Sequence, residues 1–571
     1  MSSSKLLTRS FAGGEITPEM YGRLDNVKFQ TGLALCLNAY VLPHGPVTKR
    51  PGTGFTNVAG DSTQKVRVIP FAFSADQTMV IEAGHGYLKF HTQGATLQRG
   101  TPAAYSGATA YTPGKLVTSA GNVYYCIANT TGNAPPNATY WYLLPSSDYQ
   151  IPSPYAGADL FTLRYTQSAD VLTITAIGYR PRELRRIGAT EWVLSAPSLG
   201  ASVVTPGTPT VVITPGTGTA YLKNIFYKVT AVNSDGSEES LAPFASAAAA
   251  IDLTLPGAQN AVSWTAATGA ASYRVYKAVN DANKLYGFIG ETTALTFTDD
   301  NITPDYSLNP PSSTIRLDTA GNYPTAVSYF EQRRAFGGTT NSPQGVYLTR
   351  AGTESNLSVS SPSNPSDALA FSVKAQQQNA VRHLMPLNDL LVLTAGGVWR
   401  VASTSGALVP ETLSTKPQTF YGASDVTPAL TGHSCLYVEK NGRRVRDIGY
   451  SWESQAYTSD DRSIIAPHLF LDYTIVDMAY MLSPDQLLWC VRSDGALLSM
   501  AYVPEHQVYG WSQHFTDGLF ESVCVVTEDN EDVLYAVVKR NLNGSDVRCI
   551  ERMASRRFAT QDDAFFVDCG L

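Results

Sequence analysis

The residues best suited to acid–base chemistry in this sequence are carboxylates that occur in pairs. A glycoside-cleaving site needs two carboxylates several ångströms apart across a sugar-binding cleft. Segment 529–532 lies between two predicted strands, and Asp299-Asp300 ends another, so we expect turns and strand ends rather than a catalytic pair. The pairs are Asp299-Asp300, Asp460-Asp461, Asp529 with Glu531-Asp532, and Asp562-Asp563.

Signatures of other catalytic and cofactor sites are missing from the sequence. It contains no GxSxG elbow, no HExxH motif and no Walker loop; Gly114-Lys115 lacks both the spacing and the following Ser or Thr of a Walker loop. The 8 histidines are dispersed, and the 7 cysteines have neither CxxC nor metal-ligand spacing. We therefore expect no catalytic residue, no cofactor and no metal, and predict that the protein is not an enzyme.

The segment 105–145 is rich in aromatic residues and resembles the small modules of chitin-binding families. Exposed aromatic rings in such modules bind sugars by stacking, and the candidates here are Tyr111, Tyr125 and Trp141. The alternative is that these rings form the core of a domain too small to have another. The resemblance rests on Tyr111, Gly114, Val117, Tyr124, Tyr125, Asn129, Pro135 and Trp141.

The composition favours an all-β protein. The 571 residues include 31 Tyr, 45 Gly and 33 Pro, and only 16% are charged. Tyr, Thr and Val suit half-buried pleated surfaces, whereas Gly and Pro mark turns. The net charge is −7, and tight DNA binding requires clustered Lys and Arg. The densest basic stretch, Arg180 to Arg186, is interpreted as a solvated strand end.

The cysteine usage and the N-terminus indicate a soluble protein synthesised in a cytoplasm. An odd, unclustered set of cysteines is typical of reduced, mostly buried thiols. The first ten residues lack the apolar region of a signal peptide, and no run approaches the roughly 18 apolar residues that span a bilayer.

One unit recurs along the chain: an apolar strand, a tight turn and a second, alternating strand. Asn-Gly and Asp-Gly between such strands are strong hairpin signals. The later units start about 40 to 55 residues apart, which is the period of a four-stranded propeller blade. We therefore predict a β-propeller-like core of six or seven blades. The hairpins are 79–90, 171–184, 335–349, 390–401, 435–448, 487–501 and 533–550.

Two longer gaps between these units predict two inserted β modules. The first is the aromatic segment 105–145. The second, 200–307, resembles a fibronectin type III or immunoglobulin-like sandwich, with its late and early strand motifs in swapped order. Either that domain is permuted or the resemblance covers two half-motifs. The motifs are 226–233 (FYKVTAVN), 235–240 (DGSEES), 262–265 (VSWT), 273–276 (YRVY) and 297–299 (FTD).

Near the start, Thr17-Pro18 is a good helix beginning, followed by Met20, Leu24 and Val27 at helical spacing. We predict a short N-terminal helix there, and hypothesise that this arm packs on a neighbouring subunit. The predicted division is 1–40 N-terminal arm, 41–104 first part of the propeller, 105–145 aromatic module, 146–199 propeller, 200–307 sandwich and 308–571 remainder of the propeller.

Five stretches resemble, in order, the tail tube (nozzle) proteins of short-tailed bacteriophages. Together they span most of the chain outside the two insertions. They are 11–25 (FAGGEITPEMYGRLD); 45–53 (GPVTKRPGT); 165–170 (YTQSAD) leading to Pro181 and Leu184; Tyr323-Pro324 through 331–334 (EQRR) to 337–344 (GGTTNSPQ); and 442–446 (GRRVR) through Tyr457, Asp460, His468, Asp494-Gly495, Trp511 and Asn543-Gly544 to Glu551-Arg552.

The resemblance implies a structural subunit of a short tail. Six copies would form a homohexameric ring below the head–tail adaptor protein, through which double-stranded DNA is retained and then ejected, and on which tail fibres or spikes are mounted. The expected location is the virion tail, after synthesis in the host cytoplasm. The insertions are candidates for contact with host surface glycans. The alternative function is an extracellular or tail-associated propeller that binds or degrades carbohydrate.

Overall fold

Seven antiparallel sheets follow one another around a common axis and form a closed β-propeller. The computed structural model describes residues 10–74, 77–244, 247–280, 285–374, 377–403 and 406–570. This architecture confirms the all-β expectation and sets the number of blades at seven. Every predicted hairpin supplies the two central strands of one blade, in the predicted order.

The blades are numbered in chain order by their innermost strands. Blade 1 contains Arg67–Ser74, Gln77–Gly84, Tyr87–Thr92 and Gln150–Pro152; blade 2, Arg164–Ser168, Val171–Ala176, Tyr179–Gly188 and Glu191–Ser195; blade 3, Ala326–Phe330, Arg333–Gly337, Gly345–Leu348 and Leu369–Ser372; blade 4, Val381–Pro386, Leu390–Thr394, Gly397–Ser403 and Leu413–Thr419. Blade 5 contains Ala429–Thr431, Ser434–Val438, Val445–Ser451 and Ala456–Asp461; blade 6, Ile475–Met481, Leu487–Arg492, Leu497–Val503 and Val508–His514; blade 7, Leu519–Glu528, Glu531–Leu542, Ser545–Met553 and Thr53–Val58.

Blade 7 closes the ring with strands from distant parts of the sequence. Its outer strand Thr53–Val58, hereafter the closing strand, pairs antiparallel with Ser545–Met553. The blades are held together by apolar clusters that lie between neighbours, because each sheet buries both faces. Clusters join blades 1 and 2 around Trp192, blades 3 and 4 around Leu390, and blades 7 and 1 around Val537.

The two insertions are separate β units. A three-stranded sheet, Leu116–Ser119, Asn122–Cys126 and Trp141–Leu143, lies inside blade 1, between its third and fourth strands. Between blades 2 and 3, two sheets form a sandwich around Val229 and Trp264, so both half-motifs lie in one domain. Its sheets are Thr210–Thr214, Gln259–Ser263 and Thr296–Asp299, and Ala247–Ile251, Lys223–Val232, Ser272–Val279 and Gly287–Thr292.

The N-terminal arm differs from its prediction. It contains a 3-10 turn, Pro18–Met20, and one α-helical turn, Val27–Gln30, instead of a continuous helix. Leu24, within the predicted apolar repeat, is 68% exposed, so it lacks the packing that stabilises most helices. The arm packs on its own propeller, because Gly14 pairs with Trp511 of blade 6. Packing of the arm on a neighbouring subunit stays a prediction.

The remaining elements are short. Additional strands are Gly14–Glu15, Gly32–Leu33, Ala39–Val41, Val47–Lys49, Ala95–Thr96, Asn309–Ser312 and Val359–Ser361, and further 3-10 turns are Leu160–Thr162, Pro467–Leu469, Pro504–His506 and Gln561–Asp563. In the described part of the chain, no helix has the length and apolar character needed to cross a membrane.

Candidate functional site

Two of the three predicted sugar-stacking residues are buried. Trp141 is 3% exposed, and its indole Nε1 donates to the carbonyl of Asn133 at 2.8 Å. The half-buried rings of Tyr105 and Tyr111 meet it edge-on, with centroids 5.8 and 5.3 Å away. Tyr125 is also 3% exposed, and its hydroxyl donates to the carbonyl of Trp192 in blade 2 at 2.7 Å. These two rings hold the module together and attach it to the propeller.

A groove nevertheless opens beside these rings, between the aromatic module and blades 1 and 2. Its volume is about 630 Å³, within the range of pockets that bind small molecules. The side chains of Ile127 and Leu143 are 37% and 49% exposed along it. Its wall includes Ile127, Pro136, Tyr142, Leu143, Arg182 and Val193.

The groove combines an aromatic ring with unpaired polar atoms. The hydroxyl of Tyr142 accepts from the Gln150 side-chain amide at 2.9 Å, which fixes its half-buried ring. Arg182 Nε and Ser153 Oγ are buried and have no hydrogen-bond partner among the described residues. Because a buried polar group without a partner is costly, a ligand with several hydroxyl groups would complement this wall.

Sequence reasoning missed Tyr142, although a signal for it was present. Trp141–Leu143 is a strand, and alternate residues of a strand point to opposite faces. With Trp141 directed into the module, Tyr142 must point away from it, towards blade 1. Tyr142 therefore adds a ring to the groove wall, which also includes the predicted Tyr125 and Trp141.

A second polar cluster lies at the axis of the propeller. Arg67 and Arg164 begin the innermost strands of blades 1 and 2. Arg164 Nη2 contacts Asp425 Oδ1 at 3.2 Å, and Arg382 of blade 4 pairs with the other oxygen of the same carboxylate. Arg67 lies 3.7 Å from Asp477 of blade 6. These ion pairs tie together the innermost strands of four blades.

Burial dominates the electrostatics of this axial cluster. Burial, together with the nearby charge of Arg67, lowers the pKa of Arg164 to about 9. Burial raises the pKa of Asp477, although Arg67 and Ser522 act in the opposite direction. Burial also lowers the pKa of His383, whose Nε2 contacts the Ser424 carbonyl oxygen at 2.9 Å. The cluster stabilises the axis, and the hydroxyl of Ser522 donates to the buried Asp477 carboxylate within it at 2.6 Å.

Residues of the axial cluster line two separate cavities. One, of about 850 Å³, opens at the starts of the innermost strands of blades 6 and 7 and includes Asp425. The other, of about 270 Å³, runs along the innermost strands of blades 2 to 4 and includes Arg164. Cavities of this size hold small molecules.

The paired carboxylates have structural contacts. Asp299 is fully buried; Lys277 Nζ lies 2.8 Å from its Oδ2, and the Tyr227 hydroxyl donates to that oxygen at 2.5 Å. Asp532 accepts from the backbone N–H of Leu482 at 2.7 Å. Asp460 pairs with Arg462, and Asp563 caps a turn at Thr560.

One group in the described part of the chain brings potential metal ligands together: Cys549, Glu551 and Cys569. These residues lie at the outer edge of blade 7, beside the closing strand. The sequence prediction treated the cysteines as unclustered, because 20 residues separate these two and only the fold returns the second to the first.

Polar contacts also join residues from separate motifs. Glu15 is buried, and its Oε1 lies 2.9 Å from His468 Nε2 and accepts from Gln513 at 2.6 Å. Arg334 of blade 3 donates to Glu183 of blade 2 at 2.7 Å. Thr53 of the closing strand donates to Glu551 at 2.5 Å.

Comparison with known proteins identifies no matching family model and no matching curated protein. Among solved structures, the chain is similar to that of U3-55K, with 11% identity, a TM-score of 0.29, and coverage of 69% of this chain and 99% of that one. It is similar to the crystal structure of RRP9 WD40 repeats, with 11% identity, a TM-score of 0.29, and coverage of 70% and 98%. The luciferin-regenerating enzyme is 10% identical, with a TM-score of 0.20 and coverage of 42% and 92%. At these scores the similarities carry no functional argument, and the propeller assignment rests on the sheet topology.

Proposed function

We propose that this protein is a structural subunit of the tail tube (nozzle) of a short-tailed bacteriophage. In this proposal six copies form a ring below the head–tail adaptor protein. The ring retains double-stranded DNA and releases it into the host, and its outer surface mounts tail fibres or spikes. The protein is synthesised in the host cytoplasm, resides in the virion tail and catalyses no reaction.

The observation that carries the proposal is the contact between residues of separate motifs. Glu15 belongs to the first stretch that resembles the nozzle family and His468 to the last, yet their side chains lie 2.9 Å apart. Thr53 of the second stretch contacts Glu551 of the last. Arg334 of the fourth contacts Glu183, which lies between Pro181 and Leu184 of the third. Residues of the separate stretches therefore contact one another within a single propeller, as expected if these stretches determine the fold of a structural subunit.

The closed axis is consistent with this proposal in a specific way. Because the ion pairs of Arg164 and Arg382 with Asp425 join the innermost strands of different blades, DNA has no path through a single subunit. The conduit must then be the lumen of the ring, enclosed by the outer surfaces of several propellers. A net charge of −7 suits a lumen that DNA crosses without binding tightly.

Electron microscopy of the purified protein and of the intact particle tests this proposal. We expect closed rings with sixfold symmetry and an axial lumen wide enough for a DNA duplex, since cyclic symmetry closes an interface without open growth. A protein that stays monomeric at high concentration and is absent from the tail of the particle contradicts the proposal.

The groove beside the aromatic module favours a second candidate function, the binding of host surface glycans. Its wall includes the ring of Tyr142 together with Arg182 and Ser153, whose Nε and Oγ have no hydrogen-bond partner among the described residues. Binding to a panel of bacterial polysaccharides, measured by calorimetry, should weaken at least tenfold in Arg182→Gln. The matched control is Arg185→Gln on the same strand, with a side chain 52% exposed and outside the groove wall. Equal binding by both variants excludes the groove, and measurable cleavage of the polysaccharide contradicts the assignment as a non-enzyme.

A further inference from the structure

The C-terminal segment extends the sheet of blade 7 by pairing with the closing strand. The backbone N–H groups of Gly52 and Thr53 donate to the carbonyls of Phe565 and Val567, at 2.8 and 3.0 Å. The N–H of Phe55 donates to the carbonyl of Gly570 at 2.8 Å. The closing strand therefore lies between Ser545–Met553 on one side and the segment 565–570 on the other.

The thiols of Cys549 and Cys569 lie close to each other at this edge of blade 7. Cys549 is 1% exposed on blade 7, and Cys569 is half-buried in the C-terminal segment. Their sulfur atoms and a carboxylate oxygen of Glu551 lie within 4.8 Å of one another. A disulfide needs a sulfur–sulfur distance of about 2.05 Å, so the two sulfurs must move closer from a separation of at most 4.8 Å.

The same three residues are poorly suited to a metal ion. Arg540 donates to both oxygens of Glu551, from Nε at 2.6 Å and from Nη2 at 2.9 Å. Thr53 donates to one of these oxygens as well. A bound cation would therefore lose the carboxylate as a ligand and lie beside the guanidinium charge of Arg540. Cross-linking of the two sulfurs faces neither obstacle.

We propose that Cys549 and Cys569 form an oxidative cross-link that fixes the closing strand in blade 7. The oxidant is a small-molecule disulfide. The thiolate of Cys569, the more accessible of the two, attacks one of its sulfurs, which forms a mixed disulfide and releases one small thiol. The thiolate of Cys549 then attacks Cys569 Sγ, which forms the protein disulfide and releases the second small thiol. Two protein S–H bonds are lost, and the oxidant is reduced to two thiols.

The residues around Cys549 and Cys569 slow the formation of the disulfide, but the disulfide is favoured once it has formed. Burial and the charge of Glu551 raise the pKa of Cys569 to about 12, against the opposing charge of Arg540. Burial and Glu551 likewise raise the pKa of Cys549. Few thiolates are present at neutral pH, so the pair stays reduced during short exposure to oxidant. Once formed, the disulfide closes a loop of about 20 residues across the closing strand.

The disulfide hinders the local unfolding of the C-terminal segment from blade 7. A loop of this length is expected to make the open form of the C-terminal segment roughly 100-fold less populated. The amides of Gly52, Thr53 and Phe55 donate to that segment, so their hydrogen exchange reports its release.

Oxidised glutathione at mildly alkaline pH, followed by alkylation and peptide mass spectrometry, tests the proposal. We expect one cross-linked peptide containing Cys549 and Cys569, and exchange of the Gly52, Thr53 and Phe55 amides slowed by roughly 100-fold. Cys569→Ser keeps the backbone contacts of the segment and should lose both effects. Cys126→Ser removes a thiol of the distant aromatic module and should retain both.

Three outcomes overturn the proposal. Alkylation of both Cys549 and Cys569 after prolonged oxidation shows that the sulfurs do not reach each other. A stable glutathione adduct on Cys569 shows that Cys549 cannot resolve it. Stoichiometric zinc binding by the reduced protein that protects both thiols from alkylation, and that is lost in Cys569→Ser, shows a metal site instead.

Discussion

The ion pair between Arg334 and Glu183 offers a direct test of how neighbouring blades are joined. Arg334 is 1% exposed in blade 3, and Glu183 is 6% exposed in blade 2. The guanidinium donates to Glu183 at 2.7 Å, to Glu354 at 2.5 Å and to the hydroxyl of Tyr329 at 3.1 Å. Replacing Arg334 with methionine keeps an apolar stem and removes every one of these donors.

The expected loss is large because the substitution leaves a buried carboxylate. Breaking a buried pair by removing one partner costs about 3–5 kcal/mol. Glu183 retains its contact with Arg185 at 2.5 Å, and that side chain is 52% exposed. We therefore expect Arg334→Met to lower the free energy of unfolding by about 3 kcal/mol, the lower end of that range.

Urea unfolding followed by tryptophan fluorescence measures the loss as a lower midpoint. Burial raises the pKa of Glu183, but the hydrogen bonds from Arg334 and Arg185 outweigh it, so the pKa lies below its usual value. A lowered carboxyl pKa stabilises the folded state above the unfolded pKa, about 4.3 for glutamate, and this contribution disappears as the pH falls through the folded pKa. The difference between wild type and Arg334→Met should therefore be full above about pH 5 and shrink below about pH 4.

The matched control is Arg185→Met, which removes the exposed partner of the same carboxylate. Exposed ion pairs contribute about 0–1 kcal/mol, so we expect a loss below about 1 kcal/mol. If Arg334→Met and Arg185→Met lower the stability equally, or if the effect of Arg334→Met does not depend on pH, the inter-blade ion pair is not what joins blades 2 and 3.

Further expectations concern the insertions and the arm. Trp141→Ala should destabilise the aromatic module by about 3–5 kcal/mol, because its buried ring is the centre of that core, and limited proteolysis should then cut the module while the propeller stays intact. Lys277→Met should lower the free energy of unfolding of the sandwich by about 3 kcal/mol, because it leaves buried Asp299 without its cation. The thermal unfolding transition of the sandwich measures this loss. Gly14→Ala should release the arm from blade 6, because Gly14 has a φ of +65° and an added Cβ would lie 2.4 Å from the Trp511 backbone nitrogen. We then expect faster hydrogen exchange of the arm amides, while the exchange of the blade 7 amides stays unchanged.

The hairpins could be predicted because their signal is local. Asn543 and Gly544 have φ values of +51° and +81°, the conformation that a two-residue turn demands and that Asn-Gly adopts most readily. Gly442 likewise has a φ of +74°. The number of hairpins gave the number of blades to within one, and the long gaps between them predicted the insertions.

The closing strand and the candidate site depend on contacts that no local pattern contains. The closing strand has the alternation of any edge strand, and its partner Cys549 lies in the last part of the sequence. Trp141 and Tyr125 suit a stacking surface as well as a core, and only the positions of Tyr105 and Trp192 around them show that they are buried. The same limitation hid the proximity of Cys569 to Cys549.

Because the strands of blade 7 come from both ends of the propeller sequence, they emerge from the ribosome at very different times. The closing strand leaves the exit tunnel early, and Cys549, which pairs with Val58, follows about 490 residues later. At elongation rates of about 5–20 residues per second, the nascent chain waits roughly 25–100 s before its ring can close. Throughout that interval an unpaired edge is open to misassembly. A polypeptide released early by the ribosome cannot complete the circle, so circular closure distinguishes finished chains from truncated ones.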